Sequence, residues 1–539
     1  MTRYLLAAEA DKIQDFIFRS ARLREVVGGS QLLTRLCKEV PSLLAPRYGI
    51  QEEDVIIGDG GSFRILFSDA DRAKGFGADL AEVYHRAGSG SLTVAEPVPV
   101  NGDFGKASEH AEDALHRAKR LREDWQSQVH LPYMAFCASC GVGLAVAHWA
   151  YYAGEEARYL CESCLNKGAE RPYGELGSFL RAFYEVVVGP ERDPAAFDWP
   201  GKTTREEFYE KDPVEDIAAY DARRYVAYLM ADGNNMGKAF SACQTPEQMR
   251  ALCQGLSHAF RKALAEPTRL ITNNNADDRL DFIPVLPLIL GGDDLFALVP
   301  APWALDIARR FCQVYEQEMT DLLRTIGLSV PSPTVSAAVV ICKSKHPYSL
   351  AHAAGEVRLK EAKRMGKRLV LDGGQICSTI SFEVVLGGRL VTPPAKQVIR
   401  PTLRPYWADA LNVPDYWGLT VKQLIDQRYE LRNLPHKRLS ELRSLYDPTS
   451  LPSSLKPNDI EPWWNRLKRL LQRIERRSDA QKEAVTATLE SLGSPEESYW
   501  RRVDRKSEDT WHGHGLPDLI EAWDFALNLE IPRWEYEEE

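Results

Sequence analysis

Three aspartates in the middle of the chain have the residue type and spacing of a divalent-metal site. Asp232 ends an apolar run, and Asp293 and Asp294 complete a Gly-Gly-Asp-Asp sequence further along. Hard cations such as Mg²⁺ or Mn²⁺ prefer carboxylate oxygens to thiolates or imidazoles. Two such ions can lower the pKa of an attacking hydroxyl and neutralise a departing pyrophosphate. The aspartates therefore predict nucleotidyl transfer, with Asp232 and Asp293 bridging the ions and Asp294 as a further ligand or a support.

The neighbours of these aspartates suit the binding of a nucleoside triphosphate. The predicted contacts are Gly233, Asn234, Asn235, Gly291, Gly292 and Lys363. The two glycines before the aspartate pair leave room for the nucleotide, and the backbone after the first aspartate can offer N–H groups to phosphate where a helix begins. The lysine lies in a basic helical segment and is predicted to contact the β- and γ-phosphates. The alternative is an ordinary hairpin turn, because Asp and Gly are favoured in turns.

The apolar runs around these residues predict a sheet that brings the aspartates together. The predicted order is strand 224–232, helix 236–265, hairpin 282–299, helix 303–326, strand 334–342, helix 348–365 and strand 368–371. This order is that of the ferredoxin-like core of polymerase palms and nucleotide cyclases. Its first and third strands are antiparallel neighbours. The end of the first strand is therefore expected beside the start of the third, with all three aspartates at one sheet edge.

The N-terminal region shows a weaker copy of this pattern. A strand over 4–10, a helix containing 13–18 and a Gly-rich hairpin over 55–67 repeat the order, but the hairpin turn lacks the paired carboxylates. We therefore predict an α+β protein with two ferredoxin-like palm domains, the first of them degenerate. The predicted domains are a first palm (1–130), a zinc-binding insert (131–170), a helical linker (171–220), a second palm (221–395) and a C-terminal helical domain (396–539).

Four of the ten cysteines form two C-x-x-C pairs with twenty residues between them. They are Cys137, Cys140, Cys161 and Cys164. In a reducing compartment such pairs favour a tetrahedral zinc site over disulfides. Four thiolates leave no open coordination position, so the predicted Zn²⁺ is structural. The other six cysteines are scattered among apolar residues and are predicted to be reduced core residues.

The overall composition is that of a soluble globular protein, with 44% hydrophobic and 27% charged residues. No apolar run approaches the ~20 residues of a membrane helix, and the N-terminus becomes charged too early for a signal peptide. We therefore expect a cytoplasmic protein without membrane contact. The formal net charge of −10 argues against free-standing nucleic-acid binding. RNA is expected to approach through local basic surfaces or partner subunits.

The order of these motifs resembles the large, polymerase-like subunit of type III CRISPR effector complexes, closest to the Cmr-type branch. The resemblance rests on residues 12–18, the Gly-Asp-Gly-Gly-Ser-Phe hairpin, the four-cysteine insert, residues 232–237 and the Ala362-Lys363 pair. It implies an RNA-activated enzyme that converts ATP to cyclic oligoadenylate second messengers. It also implies that the other subunits of the ribonucleoprotein carry the guide RNA and target RNA. The nucleotide contacts that it implies in the first palm are Gly28, Ser30, Asp59, Gly60, Gly61 and Ser62.

Three departures from the family and two other functions bear on this expectation. Relatives commonly begin with an HD nuclease domain, whereas this sequence starts at the first palm, so we expect no DNase activity from such a domain. The family loop is often Asp-Gly-Asp, and here its third position is Asn234. Some relatives join AMP to another small molecule, which leaves the product open. A stand-alone diguanylate-type cyclase and a catalytically silent scaffold subunit also remain open.

Overall fold

The computed structural model describes most of the 539-residue chain. The described residues are 3–20, 22–121, 133–152, 154–170, 176–202, 211–273, 281–371, 377–385, 399–409, 418–447, 449–494, 499–503 and 511–536. The predicted domain boundaries at residues 130, 171 and 395 lie outside these ranges. Within them, no helix is long and apolar enough to span a membrane.

The first sheet is built around its N-terminal strand. Its elements are β1 (Arg3–Asp11), α1 (Ile13–Phe18), α2 (Leu23–Tyr48), β2 (Val55–Asp59), β3 (Ser62–Phe67), α3 (Ala70–Gly88), β4 (Ser91–Val94), β5 (Val98–Val100) and α4 (Phe104–Leu121). The strand order is β2-β3-β1-β4, with β5 also pairing with β1. Leu5 to Ala8 are buried in succession, which means that both faces of β1 are covered.

A small insert and two linking helices follow the first palm. Their elements are β6 (Ala147–Trp149), β7 (Arg158–Leu160), α5 (Glu162–Ala169), α6 (Ser178–Val188) and α7 (Pro213–Ala218). Helix α5 packs against α2 and α3 of the first palm. This contact depends on Gly28, where a Cβ atom would lie 1.7 Å from the carbonyl oxygen of Lys167. The insert is therefore attached to the first palm through a close helix–helix contact.

The second sheet repeats the first and extends it. Its elements are β8 (Tyr225–Asn234), α8 (Met236–Ser241), α9 (Pro246–Asn273), β9 (Leu286–Gly291), β10 (Asp294–Pro300), α10 (Ala304–Thr325), β11 (Thr334–Lys343), α11 (Tyr348–Leu371) and β12 (Thr379–Val384). Strand β8 lies between β10 and β11 and is antiparallel to both, as β1 lies between β3 and β4. The predicted α+β fold is confirmed.

In the structure, two elements of the second palm differ from those predicted from the sequence. The predicted helix over 236–265 is divided into α8 and α9, and Pro246 begins the second of these, a position that suits proline. The predicted strand over 368–371 is wrong because α11 continues to Leu371. The true strand, β12, is parallel to β11. Because β12 runs parallel to β11, helix α11 must return the chain from the end of β11 to the start of that strand. Its 24 residues span about 36 Å at ~1.5 Å per residue.

The C-terminal region is helical with a small sheet that the sequence did not predict. Its elements are β13 (Ile399–Arg400), β14 (Tyr406–Trp407), α12 (Val421–Glu430), α13 (His436–Leu445), α14 (Pro457–Glu475), α15 (Asp479–Ser491), β15 (Arg501–Val503), β16 (Trp511–Gly513) and α16 (Leu516–Glu521). Strands of two or three residues are too short to show a periodic pattern. Strand β14 pairs with β12, so the sheet of the second palm includes residues beyond position 395.

Candidate active site

The three predicted catalytic aspartates lie at one end of two central strands. Asp232 in β8 and Asp294 in β10 are directly opposite each other in the antiparallel register. The backbone N–H of Gly233 donates a hydrogen bond to the carbonyl oxygen of Asp293 (2.9 Å). Opposed Cα atoms in such a ladder are about 4.5–5.5 Å apart. The placement agrees with the predicted juxtaposition, and the catalytic role of these residues stays a prediction.

Lys363 contacts this carboxylate cluster from α11. Its Nζ atom is 2.5 Å from Oδ2 of Asp232, and the two side chains are 30% and 24% exposed. Burial, followed by the charge of Asp232, raises the pKa of Asp293. Burial and the charges of Asp293 and Asp232 raise the pKa of Asp294 to about 8. The lysine lowers both values, but the carboxylates still repel one another.

This excess of negative charge is the electrostatic condition of a cation site. The donor set consists of carboxylate oxygens on adjacent strands, and such oxygens are the ligands that Mg²⁺ and Mn²⁺ prefer. The residue types and their placement at one sheet edge therefore suit the predicted divalent ions.

The loop after Asp232 is fixed by side-chain hydrogen bonds and has little free space. The side-chain amide of Asn234 donates to the hydroxyls of Thr334 (3.2 Å) and Ser336 (3.1 Å) on β11. A Cβ atom at Gly233 would lie 2.9 Å from Cγ of Met236. Asn235 adopts the left-handed conformation (φ 62°) at the start of α8, which asparagine tolerates better than most residues. The hydrogen bonds to β11 and the backbone path into α8 therefore determine the conformations of Gly233, Asn234 and Asn235.

The hairpin turns of the two palms touch each other. A Cβ atom at Gly60 would lie 3.2 Å from both the Cα and the backbone nitrogen of Gly292. Both glycines have positive φ angles, 56° and 60°. Beside them, Oδ2 of Asp59 accepts a hydrogen bond from the hydroxyl of Ser257 (2.6 Å). A Cβ atom at Gly291 would lie 4.0 Å from Oδ1 of Asp59. The hairpin turn of the first palm therefore lies directly beside the Gly-Gly-Asp-Asp turn of the second palm.

The other first-palm residues implied by the family resemblance have contacts within the chain. Gly28 faces α5, and the buried hydroxyl of Ser30 donates a hydrogen bond to the carbonyl oxygen of Leu288 on β9. A Cβ atom at Gly61 would lie 2.5 Å from Cδ1 of Ile13. Ser62 begins β3. Their contact with a nucleotide stays a prediction.

An acidic residue and a lysine of the first palm form a pair that was not predicted from the sequence. Glu9 on β1 lies opposite Ser62 on β3, and Nζ of Lys119 on α4 is 2.8 Å from Oε1 of Glu9. After burial and Asp232, the charge of Glu9 is a further cause of the raised pKa of Asp293. The available signal was the Glu-Ala-Asp sequence at the end of the first strand, which corresponds in position to Asp-Gly-Asn at the end of β8.

The four clustered cysteines form a separate candidate metal site in the insert. Their sulfur atoms all lie within 4.8 Å of one another. A tetrahedral ion with Zn–S bonds of about 2.3 Å separates its sulfurs by about 3.8 Å. The Sγ atoms of Cys140 and Cys161 are 3.7 Å apart. Hydrogen bonds from the thiols of Cys137, Cys161 and Cys164 lower the pKa of Cys140. The cluster fits a structural Zn²⁺.

The other six cysteines lie outside the insert, in or beside elements of the two palms. The six other cysteines form no disulfide; four are buried, as predicted, and Cys253 and Cys377 are half-buried. Glu25 on α2 is fully buried and accepts hydrogen bonds from the side chains of Ser139 and Tyr151 of the insert. Burial raises the pKa of Glu25. The insert is therefore joined to the first palm by polar contacts as well as by helix packing.

The fold and the carboxylate cluster together define a protein of the paired palm-domain class. Residues 225–371 match the family model described as Cas10/Cmr2, second palm domain. Csm1 of T.onnurineus has a similar fold, with a TM-score of 0.53 and 16% identity over 98% of this chain and 70% of that chain. The chain therefore resembles a Cas10-like subunit, as its motifs predicted, and the Cmr-type branch stays a prediction.

Other solved structures agree with this likeness of fold. A Csm1–Csm4 cassette in complex with pppApA has a TM-score of 0.50 and 16% identity, over 90% of this chain and 69% of that chain. The apo cassette has the same score and identity, over 90% and 70%. This chain covers only 64% of the length of the matching chain in a Csm1–Csm4 cassette in complex with cA4. No curated protein matches the chain.

Proposed function

We propose that this chain is the RNA-activated nucleotidyltransferase of a type III CRISPR antiviral complex and converts ATP to cyclic oligoadenylates. The observation that carries the proposal is the gathering of Asp232, Asp293 and Asp294 at one sheet edge, within the segment that matches the Cas10/Cmr2 second palm. Solved relatives of similar fold have been crystallised with cA4, with cA3 and with pppApA. By analogy with these ligands, the substrate of this chain would be ATP.

The reaction joins two nucleotides and releases pyrophosphate. A ribose hydroxyl of one nucleotide forms a bond to the α-phosphorus of the other, the bond from that phosphorus to the bridging oxygen breaks, and the hydroxyl proton is released. Divalent ions held by Asp232, Asp293 and Asp294 would supply Lewis acidity at the hydroxyl and at the leaving group. Lys363 would leave Asp232 and contact the phosphates of the triphosphate, because its ammonium group forms charge-assisted hydrogen bonds with phosphate oxygens.

The contact between the two turns positions the palms around a shared space. Because Gly60 and Gly292 approach within van der Waals distance, two nucleotides bound at the turns would lie close to one another. Preorganised neighbours react faster because the entropy of bringing them together is already lost on binding. The palm–palm contact is therefore the element through which partner subunits would control activity.

The partners are proposed by analogy with the solved cassettes, in which Csm1 is bound to Csm4. We expect this chain to bind a subunit of the corresponding kind in a cytoplasmic ribonucleoprotein. Its net charge of −10 favours contact with guide and target RNA mainly through such subunits.

The test is product analysis with the assembled complex. Purified complex is incubated with labelled ATP and Mg²⁺, with matching target RNA and with non-matching RNA as the control, and the product is identified by mass spectrometry. Cyclic oligoadenylates formed only with the matching RNA would support the proposal. In a parallel assay with each labelled nucleotide separately, consumption of GTP but not ATP would favour the diguanylate-type cyclase. The absence of nucleotide turnover under every condition would favour the silent scaffold.

A further inference from the structure

Helix α9 of the second palm lies along the edge strand of the first sheet. That strand is β2, and α9 packs against it. The guanidinium of Arg250 on α9 donates hydrogen bonds to the backbone carbonyl oxygens of Glu53 and Val55, where the strand begins. Two helical turns further along, the hydroxyl of Ser257 donates to Oδ2 of Asp59, where the strand ends (2.6 Å). The second palm therefore holds β2 at both ends.

The hydroxyl of Ser257 differs in its partner from the other buried hydroxyls of α9. The residue is only 3% exposed, and a buried hydroxyl needs a hydrogen-bond partner. In a helix that partner is commonly the carbonyl oxygen four residues earlier. Thr268 donates in this way to Leu264 (2.7 Å), and Thr272 donates to Thr268 (3.0 Å). Ser257 donates across the palm–palm contact instead, so its hydroxyl joins the two domains.

The carboxylate of Asp59 connects this hydrogen bond to the turn of the first palm. While Oδ2 accepts from Ser257, Oδ1 accepts from the backbone N–H of Gly60 (2.9 Å). Gly60 is the residue whose added Cβ atom would lie 3.2 Å from the Cα atom of Gly292. One side chain of α9 is therefore linked, through a single carboxylate, to the residue that touches the Gly-Gly-Asp-Asp turn.

Other contacts join the two palms away from the turns. The rings of Phe18 on α1 and Phe296 on β10 meet edge to face, with their centroids 5.0 Å apart. The hydroxyl of Ser30 on α2 donates to the carbonyl oxygen of Leu288 on β9. Because these contacts do not involve Ser257, loss of its hydroxyl should release the turn and leave the palms joined.

We propose that Ser257 is a positioning residue that acts through Asp59 to fix the first-palm turn against the catalytic turn. A reactant misplaced by about 1 Å can react roughly 10²-fold more slowly, so the position of this turn controls the rate of nucleotidyl transfer. Asp59 then serves the contact between the palms, in place of the nucleotide contact that the family resemblance implies. The inference rests on the proposed function for the reaction whose rate is controlled.

The test compares two buried hydroxyls of the same helix. Purified complex with bound target RNA is assayed with Mg²⁺ over a range of ATP concentrations. Ser257→Ala should lower kcat about tenfold and leave the KM for ATP within about twofold of wild type, because it displaces a turn and removes no nucleotide contact. Ser257→Thr keeps a hydroxyl and should retain kcat. Thr268→Val is the matched control, since it removes a hydroxyl that bonds its own helix, and should leave kcat unchanged.

A double-mutant cycle tests whether the effect passes through Asp59. Asp59→Ala should lower kcat at least as much as Ser257→Ala does. The double variant Asp59→Ala/Ser257→Ala should show no further loss, because both changes remove the same interaction. Losses that multiply in the double variant would overturn the inference. A wild-type kcat in Ser257→Ala, an equal loss in Thr268→Val, or a raised KM with unchanged kcat would overturn it as well.

Hydrogen exchange separates failure of this inference from failure of the proposed function. In Ser257→Ala the amide hydrogens of residues 57–61 should exchange faster, whereas those of β8 should keep their wild-type rates. Unchanged exchange at the turn would overturn the inference whether or not the complex consumes ATP. Faster exchange at the turn, in a complex whose wild type consumes no ATP, would contradict the proposed function and still support the role of Ser257 in fixing the turn.

Discussion

In both palm domains a side-chain hydrogen bond joins the end of the central strand to a neighbouring strand. The two domains differ in the turn beside that strand end. In the first palm, the hydroxyl of Thr93 on β4 donates to the carboxylate of Asp11 (2.9 Å). In the second palm, the amide of Asn234 donates to the hydroxyl of Ser336 on β11 (3.1 Å). Both hydroxyl residues occupy the strand that pairs with the other side of the central strand. The hydrogen-bonded frame is thus common to both domains.

The turns show where the two domains have different chemistry. One turn carries Asp293 and Asp294, whereas the other carries Gly61 and Ser62 at the same register positions. The backbone tolerates this change because strand pairing uses main-chain N–H and C=O groups, which are the same whatever side chain the position carries. The first palm therefore lacks the paired carboxylates of the second palm but has the same strand pairing around its turn.

The largest expected effect is on catalysis in the second palm. Asp293→Asn/Asp294→Asn should reduce ATP turnover by the target-RNA-bound complex by about 10³-fold or more, since it removes the ligands that stabilise the transition state. Asp71→Asn, an exposed residue on α3 of the first palm, is the matched control. Labelled-ATP assays measure both. Turnover within tenfold of wild type in the double variant would refute the assignment of the catalytic site.

The second effect concerns the stability of the first palm. Cys164→Ser should remove the one Zn²⁺ expected per chain and destabilise the first palm by about 3 kcal/mol or more, because structural metal binding contributes directly to folding. Hydrogen exchange should show a greater loss of protection in β1 than in β8, since α5 packs against α2 and α3. Cys253→Ser is the control. Metal analysis that finds the same zinc content in both variants would contradict the site.

The third effect is a pH dependence of stability that arises from Asp294 in the second palm. The pKa of Asp294 is raised to about 8 by burial and by Asp293 and Asp232. Between its ordinary pKa of 3.8 and about 8, the folded chain retains a proton that the unfolded chain has released. Stability should therefore fall as pH rises through this window, by at most about 1.4 kcal/mol per pH unit for one group.

Melting temperatures in Mg²⁺-free buffer at several pH values measure this slope. Asp294→Asn should flatten it, and Asp71→Asn should leave it unchanged. Added Mg²⁺ should oppose the loss of stability at the higher pH values, because a cation binds the ionised carboxylates. An unchanged slope in Asp294→Asn would show that another group titrates.

The smallest effect is expected when Asn234 is replaced by aspartate, the residue type of its first-palm counterpart Asp11. Asn234→Asp should change stability by less than about 1 kcal/mol and turnover by less than about tenfold. The hydroxyls of Thr334 and Ser336 can donate to a carboxylate, as the hydroxyl of Thr93 does to Asp11. Thermal melts and ATP assays measure the change. A loss of turnover above a hundredfold would indicate that position 234 contacts the reacting groups.

Much of the architecture was predictable from local patterns in the chain. Apolar runs of strand length, amphipathic helical spacing and Gly-rich turns predicted both palms, because these signals depend on residues close in sequence. The paired C-x-x-C spacing likewise predicted a four-thiol cluster. Local signals did not predict the length of an element where that length depends on pairing between strands distant in sequence. Helix α11 continues through Leu371 because β12 must begin beside the start of β11.

Tertiary structure alone decided which distant groups meet. The contact of Gly60 with Gly292, the ion pair of Glu9 with Lys119 and the raised pKa of Asp294 depend on how separate elements pack. Burial and the distance between charges set such interactions, and neither quantity is encoded by spacing along the chain. The sequence alone therefore determined most strands and turns of each palm and the residue types that they carry. Packing determined which of these groups act together.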